Sequence, residues 1–99
     1  MLIHNVYFWL QPNLSDEDRS AFAKGLDHLV AKALADSGSY GKPADTQRAV
    51  VDNSYDYGLV LFFEDLAAQD AYQVSSVHEQ FIADHADKWQ RVQVYDIDV

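Results

Sequence analysis

The chain has 99 residues, 48% of them hydrophobic, and a formal net charge of −9 from 16 acidic against 7 basic residues. That length suits one small domain, helped by self-association, and that charge argues against nucleic acid and anionic membrane surfaces as partners. Cysteine is absent, which excludes disulfides and thiolate metal sites.

The opening residues, Met1 to Asn13, lack a basic region followed by an apolar core, so no signal peptide is expected. No apolar run approaches the roughly 20 residues of a membrane span. The expectation is a cytoplasmic protein, with residues 1–99 as one domain. Leu2 to Leu10 reads as the first strand, rich in β-branched and aromatic residues and stopped by Gln11-Pro12-Asn13. One of its faces carries His4, Val6, Phe8 and Leu10, the other Ile3, Asn5, Tyr7 and Trp9. Both faces are largely apolar, whereas a sheet with one solvated face should alternate. Each face therefore needs a cover. A chain this short has too little helix for both, so a second copy of the sheet is the economical solution.

Ser15 to Asp36 reads as a helix capped by Ser15, with acids in its first turn and Gly38 as its stop. Phe22, Leu26, Leu29, Val30 and Ala33 form its apolar stripe, and His28 falls off that stripe as an exposed residue. Ser39 to Val51 is expected to hold an irregular edge strand interrupted by Pro43. Lys42 and Arg48 within it could hold an anion, but solvated edge charges are the simpler reading. Ser54 to Phe63 reads as the third strand, with Tyr55, Tyr57, Leu59, Leu61 and Phe63 on one face and Gly58, Val60 and Phe62 on the other.

A helix over Leu66 to Gln73 should end near Val74, and Ser76-x-x-Glu79 matches a capping box that opens another. In one straight helix Tyr72 and His78 would lie about 120° apart at ~100° per residue. The break lets them share one space. It also puts His78 in a first turn, where the helix dipole lowers an imidazole pKa. His78, Phe81, Ile82, His85 and Trp89 follow helical spacing, and Gln90 to Val99 closes the chain as a strand. The order strand, helix, strand, strand, helix, strand is the ferredoxin-like pattern of the α+β class, with an antiparallel sheet. Its helices cover one face. The other, with Ile3, Tyr7, Trp9, Val60 and Phe62, would be bare in a monomer, and such patches mark interfaces. Two such sheets face to face make a homodimeric α+β barrel.

These residues resemble the stress-responsive dimeric α/β-barrel (Dabb) family over nearly the whole length. The resemblance is carried by His4-Asn5-Val6-Tyr7-Phe8, Ser54-Tyr55-Asp56-Tyr57-Gly58-Leu59-Val60, Phe63-Glu64-Asp65, and Ala71-Tyr72 followed by His78. Where the family usually has His-Pro between that tyrosine and that histidine, this chain has Ser75-Ser76. The resemblance implies the same homodimeric barrel. It also implies kinship with a cofactor-free plant polyketide cyclase, whose catalytic tyrosine and histidine match Tyr72 and His78. A pocket histidine of that enzyme matches His4, and Tyr57 replaces another.

On this basis His78 is the candidate base and Tyr72 the candidate hydrogen-bond donor to a carbonyl or enolate. His4, Tyr57, Phe8, Leu59, Phe81 and Ile82 are the candidate ligand-binding residues. The alternative is that the polar members merely satisfy one another in the core. No metal site is expected: His78 and His85 stand about 10.5 Å apart along a helix at 1.5 Å per residue, too far to share an ion. No phosphate loop or Ser-His-Asp order stands out, and no cofactor is implied. Three functional readings remain: a binder of a small apolar or aromatic molecule, a cofactor-independent cyclase-like enzyme, and a stress-associated structural dimer without ligand. A cavity of roughly 300 Å³ or more beside Tyr72 and His78 would favour the first two.

Overall fold

A computed structural model describes residues 1–99. The β-branched and aromatic run Leu2–Leu10 forms β1, the strand on which the sheet is built. It pairs antiparallel with β3 (Tyr57–Phe63) on one side and β4 (Trp89–Asp98) on the other, and β2 (Ser37–Gly41) closes the far edge to give the order β2-β3-β1-β4. One sheet face is packed by α1 (Asp16–Lys32), α2 (Leu66–Gln73) and α3 (Ser76–His85). This is the expected ferredoxin-like α+β arrangement, with its second helix split in two. No helix is long and apolar enough to cross a membrane.

Alternation along β1 does what its sequence requires. Leu2, His4, Val6, Phe8 and Leu10 are buried under the helices, and Ile3, Asn5, Tyr7 and Trp9 lie half-buried on the open face. The helix-side core joins them to Leu59, Leu61 and Phe63 of β3 and to Phe22, Leu26 and Leu29, one stripe of α1. Ser15 caps α1 by accepting a hydrogen bond from the Asp18 amide at 3.0 Å.

Four expectations are corrected. The first helix ends at the cap Ala33, not near Gly38. Leu34, with φ 58°, turns the chain out of the helix in the left-handed region. Gly38 instead lies in β2, where a Cβ would stand 2.6 Å from Leu61 Cδ2, so the glycine lets this edge strand lie close against β3. Second, regular pairing of the edge strand ends at Gly41; Lys42 to Asp56 carries no regular element. Third, β3 begins at Tyr57 rather than Ser54. Tyr55 crosses to the open face and packs on Tyr7 at a ring-centroid distance of 5.0 Å. The Asp56 carboxylate explains the crossing: its Oδ2 accepts from the Leu10 amide at 2.7 Å, pinning the loop across the end of β1. Fourth, α3 stops at His85, and Trp89 opens β4 after a 3₁₀ turn at Ala86–Lys88.

Candidate functional site

The site is placed by the break between α2 and α3. Ala-rich α2 is capped by Asp65, which accepts from the Ala68 amide, and ends at Val74. The next helix is capped by Ser75, not Ser76: its Oγ accepts from the His78 amide at 3.3 Å and donates to the Tyr72 carbonyl at 2.7 Å. One serine thus closes the first helix and opens the second. Ser75 has the extended backbone of a cap (φ −70°, ψ 153°), whereas Ser76 is already helical. The break itself is where the sequence puts it. It turns the Tyr72 and His78 rings onto each other, edge to face, at 4.9 Å between centroids.

Sheet register supplies the opposite wall. Antiparallel pairing sets Asp96 beside His4, Val94 beside Val6, and Val92 beside Phe8, all on the helix side. Asp96 Oδ1 lies 2.5 Å from His4 Nδ1. A carboxylate can only accept, so Nδ1 carries a proton, and in the neutral ring Nε2 is left as the acceptor. The His4 ring in turn stands 6.2 Å from the Tyr72 ring. Asp96, His4, Tyr72 and His78 therefore lie in a row, joined by one hydrogen bond and two ring-edge contacts.

This row borders a cavity of about 180 Å³ between sheet and helices. His4, Tyr72, His78, Phe8, Leu59, Phe81 and Ile82 all line it. Tyr57 does not: although it pairs with cavity-lining Phe8, its ring packs on Phe22 at 5.7 Å and lines a separate cleft beside Arg19 and Lys42. Trp89, Gln73, Val92 and Val94 also line the cavity, none of them assigned to the site from sequence. Asp96 was likewise missed, because only the register of β4 brings it to His4. The cavity is smaller than the roughly 300 Å³ at the low end of drug-sized sites. Larger hollows of about 410 and 280 Å³ lie on the open sheet face around Tyr7 and Tyr55, and no histidine lines either.

Burial sets the electrostatics. It holds the His78 imidazole below its ordinary pKa, nearby His4 adds to this, and the Gln73 carbonyl and Glu79 oppose it. The expected direction holds, but desolvation leads where the helix dipole had been expected to. Burial also pushes the Tyr72 hydroxyl up to about 12, so it stays a donor. A neutral imidazole beside a protonated phenol can take a proton from one atom and stabilise charge on another. His85 stands apart from this group. It packs on Phe81 and Phe22 and receives the Lys88 ammonium on Nδ1 at 3.0 Å. No group of three or more His, Cys, Asp or Glu residues is placed to hold a metal ion.

Comparison with known proteins returns one family and one fold. The family model described as Stress responsive A/B Barrel Domain matches residues 2–99. No curated protein matches the sequence. Among solved structures, a protein from Arabidopsis thaliana is 20% identical with a TM-score of 0.81, the alignment covering 100% of this chain and 95% of that one. A dimeric ferredoxin-like protein from Jannaschia is 22% identical with a TM-score of 0.76, covering 99% and 98%. A hydroxynitrile lyase from Passiflora edulis is 16% identical with a TM-score of 0.79, covering 99% and 92%. At these identities the likeness concerns the fold.

Proposed function

The chain belongs to the stress-responsive A/B barrel domain family, and from that premise we propose that it is a homodimer binding a small apolar or aromatic molecule in the cavity of each subunit. One observation carries the reading: the Tyr72 hydroxyl borders the cavity and has no protein hydrogen-bond partner. No side-chain nitrogen or oxygen is sealed from solvent without a partner, so that hydroxyl is reachable through the cavity. Protein interiors are close-packed, so a space of about 180 Å³ beside a free hydroxyl suits an occupant. Dimerisation is supported by the half-buried apolar face of Ile3, Tyr7, Trp9, Val60 and Phe62, and by structural neighbours described as dimeric. The reading also assigns the protein to the cytoplasm, where a cysteine-free chain forgoes no disulfide. The test is a fragment-binding experiment by NMR on the isotope-labelled chain. Shifts clustered at Tyr72, His78, Phe81 and Val94 are the expected result; no shifts, or shifts only on the open face, defeat the reading.

A second reading is acid–base catalysis, favoured by the Asp96–His4 hydrogen bond. That bond fixes the tautomer in which His4 Nε2 is a base, and His78 offers a second. In this reading one imidazole removes a proton from carbon between two carbonyls, and Tyr72 donates to the oxygen that gains charge. The fold accommodates an enzyme elsewhere, since one neighbour is a hydroxynitrile lyase. The cavity volume favours short 1,3-diketones over long poly-β-ketones. Deuterium exchange at the central carbon of a 1,3-diketone tests the idea. Loss of His4 or His78 should slow exchange by about 10²-fold or more, with Tyr72→Phe also impaired. Exchange unchanged in all three variants makes the group structural.

A further inference from the structure

The cavity's surroundings specify a ligand class, given the binding reading above on which this step rests. Val6, Phe8, Leu59 and Phe81 form its buried apolar wall, and no lysine or arginine lines it. Its volume of about 180 Å³ suits one ring with a substituent, since a dry cavity of about 150 Å³ takes benzene. Its polar groups come from both walls and differ in kind. Tyr72 supplies a donor. His4, in its neutral form, supplies an acceptor at Nε2, because Nδ1 is committed to Asp96. The two rings lie 6.2 Å apart, centroid to centroid.

The site also contains its own probe of how it treats an anion. The Tyr72 phenol resists ionisation up to about 12, with burial the cause. A bound carboxylate would meet the same loss of hydration and find no cation to offset it. From this wall, this volume and this donor–acceptor pair, we infer that the cavity takes an uncharged molecule one six-membered ring in size bearing a hydroxyl group, a phenol or cyclic alcohol, and discriminates against the corresponding carboxylate. A hydroxyl accepts from Tyr72 and donates to His4 at once. A plain hydrocarbon does neither and leaves the pair unsatisfied, and such sites reject analogues that lack the bonding group.

The mouth is the exposed side of the same cavity. Ile82, Val92 and Val94 are 38%, 42% and 41% exposed, while the wall residues are buried. Entry therefore passes between α3 and β4, and Ile82 is the side chain whose size can be changed without touching the core.

Calorimetric titration of the full chain at neutral pH with p-cresol, toluene, p-toluate and 2-naphthol tests this. p-Cresol should bind at least about tenfold more tightly than toluene or p-toluate, and 2-naphthol should not bind. Tyr72→Phe should remove most of the preference for p-cresol over toluene, and Ile82→Trp should block p-cresol. Toluene, p-toluate or 2-naphthol binding as well as p-cresol would overturn the assigned class and leave the pocket reading standing. A preference that survives Tyr72→Phe intact would overturn it too. Absence of binding by all four compounds would remove both the class and the pocket reading.

Discussion

Gly25 shows how much a single hydrogen in place of a side chain can matter here. It sits inside α1, where alanine has the better helix propensity by about 1 kcal/mol. Yet a Cβ at this position would stand 2.5 Å from His85 Nε2, and that ring is confined by Phe22 and Phe81. Gly25→Ala should therefore destabilise the fold, by up to about 2 kcal/mol in denaturant titration, since overpacking of about 1–3 kcal/mol is set against that propensity gain. A gain in stability would show that the His85 ring moves aside freely. Half-buried His78 and buried His85 also predict a pH response. Both His78 and His85 are held below the ordinary imidazole pKa, burial being the largest cause, with His4 adding at His78 and Lys88 at His85. The unfolded chain then binds protons that the folded chain refuses, so stability rises with pH through this range. Stability should be full above about pH 6.5 and fall progressively below it, in a range still clear of the carboxylates near about 4. Chemical denaturation at about pH 7.5 and 5.5 measures the loss, and His85→Gln should reduce it.

At the scale of elements, the helix termini follow local chemistry that the sequence carries only approximately. Ser75 and Ser76 are adjacent and chemically equivalent, and Ser76-x-x-Glu79 has the better motif. The chain nevertheless caps with Ser75, because its hydroxyl also donates to the Tyr72 carbonyl at the end of α2, which already accepts from the Ser75 amide. Ser75→Ala should cost about 0.5–2 kcal/mol, whereas Ser76→Ala should stay within about 0.5 kcal/mol. Equal effects from the two substitutions would contradict the cap geometry. The end of α1 offers the opposite opportunity. Leu34 is 94% exposed and has φ 58°, so it contributes little packing and carries the steric cost of the left-handed region. That cost, about 1–2 kcal/mol, exceeds the entropic penalty of glycine, about 0.5–1 kcal/mol. Leu34→Gly should stabilise the fold by several tenths of a kcal/mol or more, read as a raised denaturation midpoint.

For the whole molecule the question is what covers the second face of the sheet. The chain begins the task itself. Tyr55 leans on Tyr7 and Trp9, Arg91 stacks 4.2 Å over the Trp9 ring, and the Trp9 indole donates to Ser54 Oγ at 3.0 Å. These contacts leave Ile3, Tyr7, Trp9, Val60 and Phe62 half-buried rather than bare. What they leave uncovered is apolar and broad, which suits a second copy. Phe62→Glu would set an unpaired charge in that face. Light scattering should then show the wild type at twice the 11.2 kDa chain mass and the variant as monomer or aggregate. A wild type that stays monomeric at micromolar concentration would end the dimer reading.

The sequence alone determined the elements and their order, because strand alternation, helix stripes and the Ser75-Ser76 interruption are local patterns within reach of a few neighbouring residues. Two-sided apolar strands also declared a sheet that needs two covers. The meeting of Tyr72 with His78 was legible for the same reason, since a helix break is a local event. The partner of His4 was not. Asp96 lies 92 residues away, and a slip of one residue in the pairing of β4 would turn it to the other face. Nor could alternation alone place Tyr57 or Tyr55. The first shares the face of the site but turns its ring to Phe22 and a separate cleft, and the second leaves the strand where Asp56 is tied to Leu10. Register, loop crossings and the volume left between packed side chains are sums over contacts distant in sequence. Only the tertiary structure decides them.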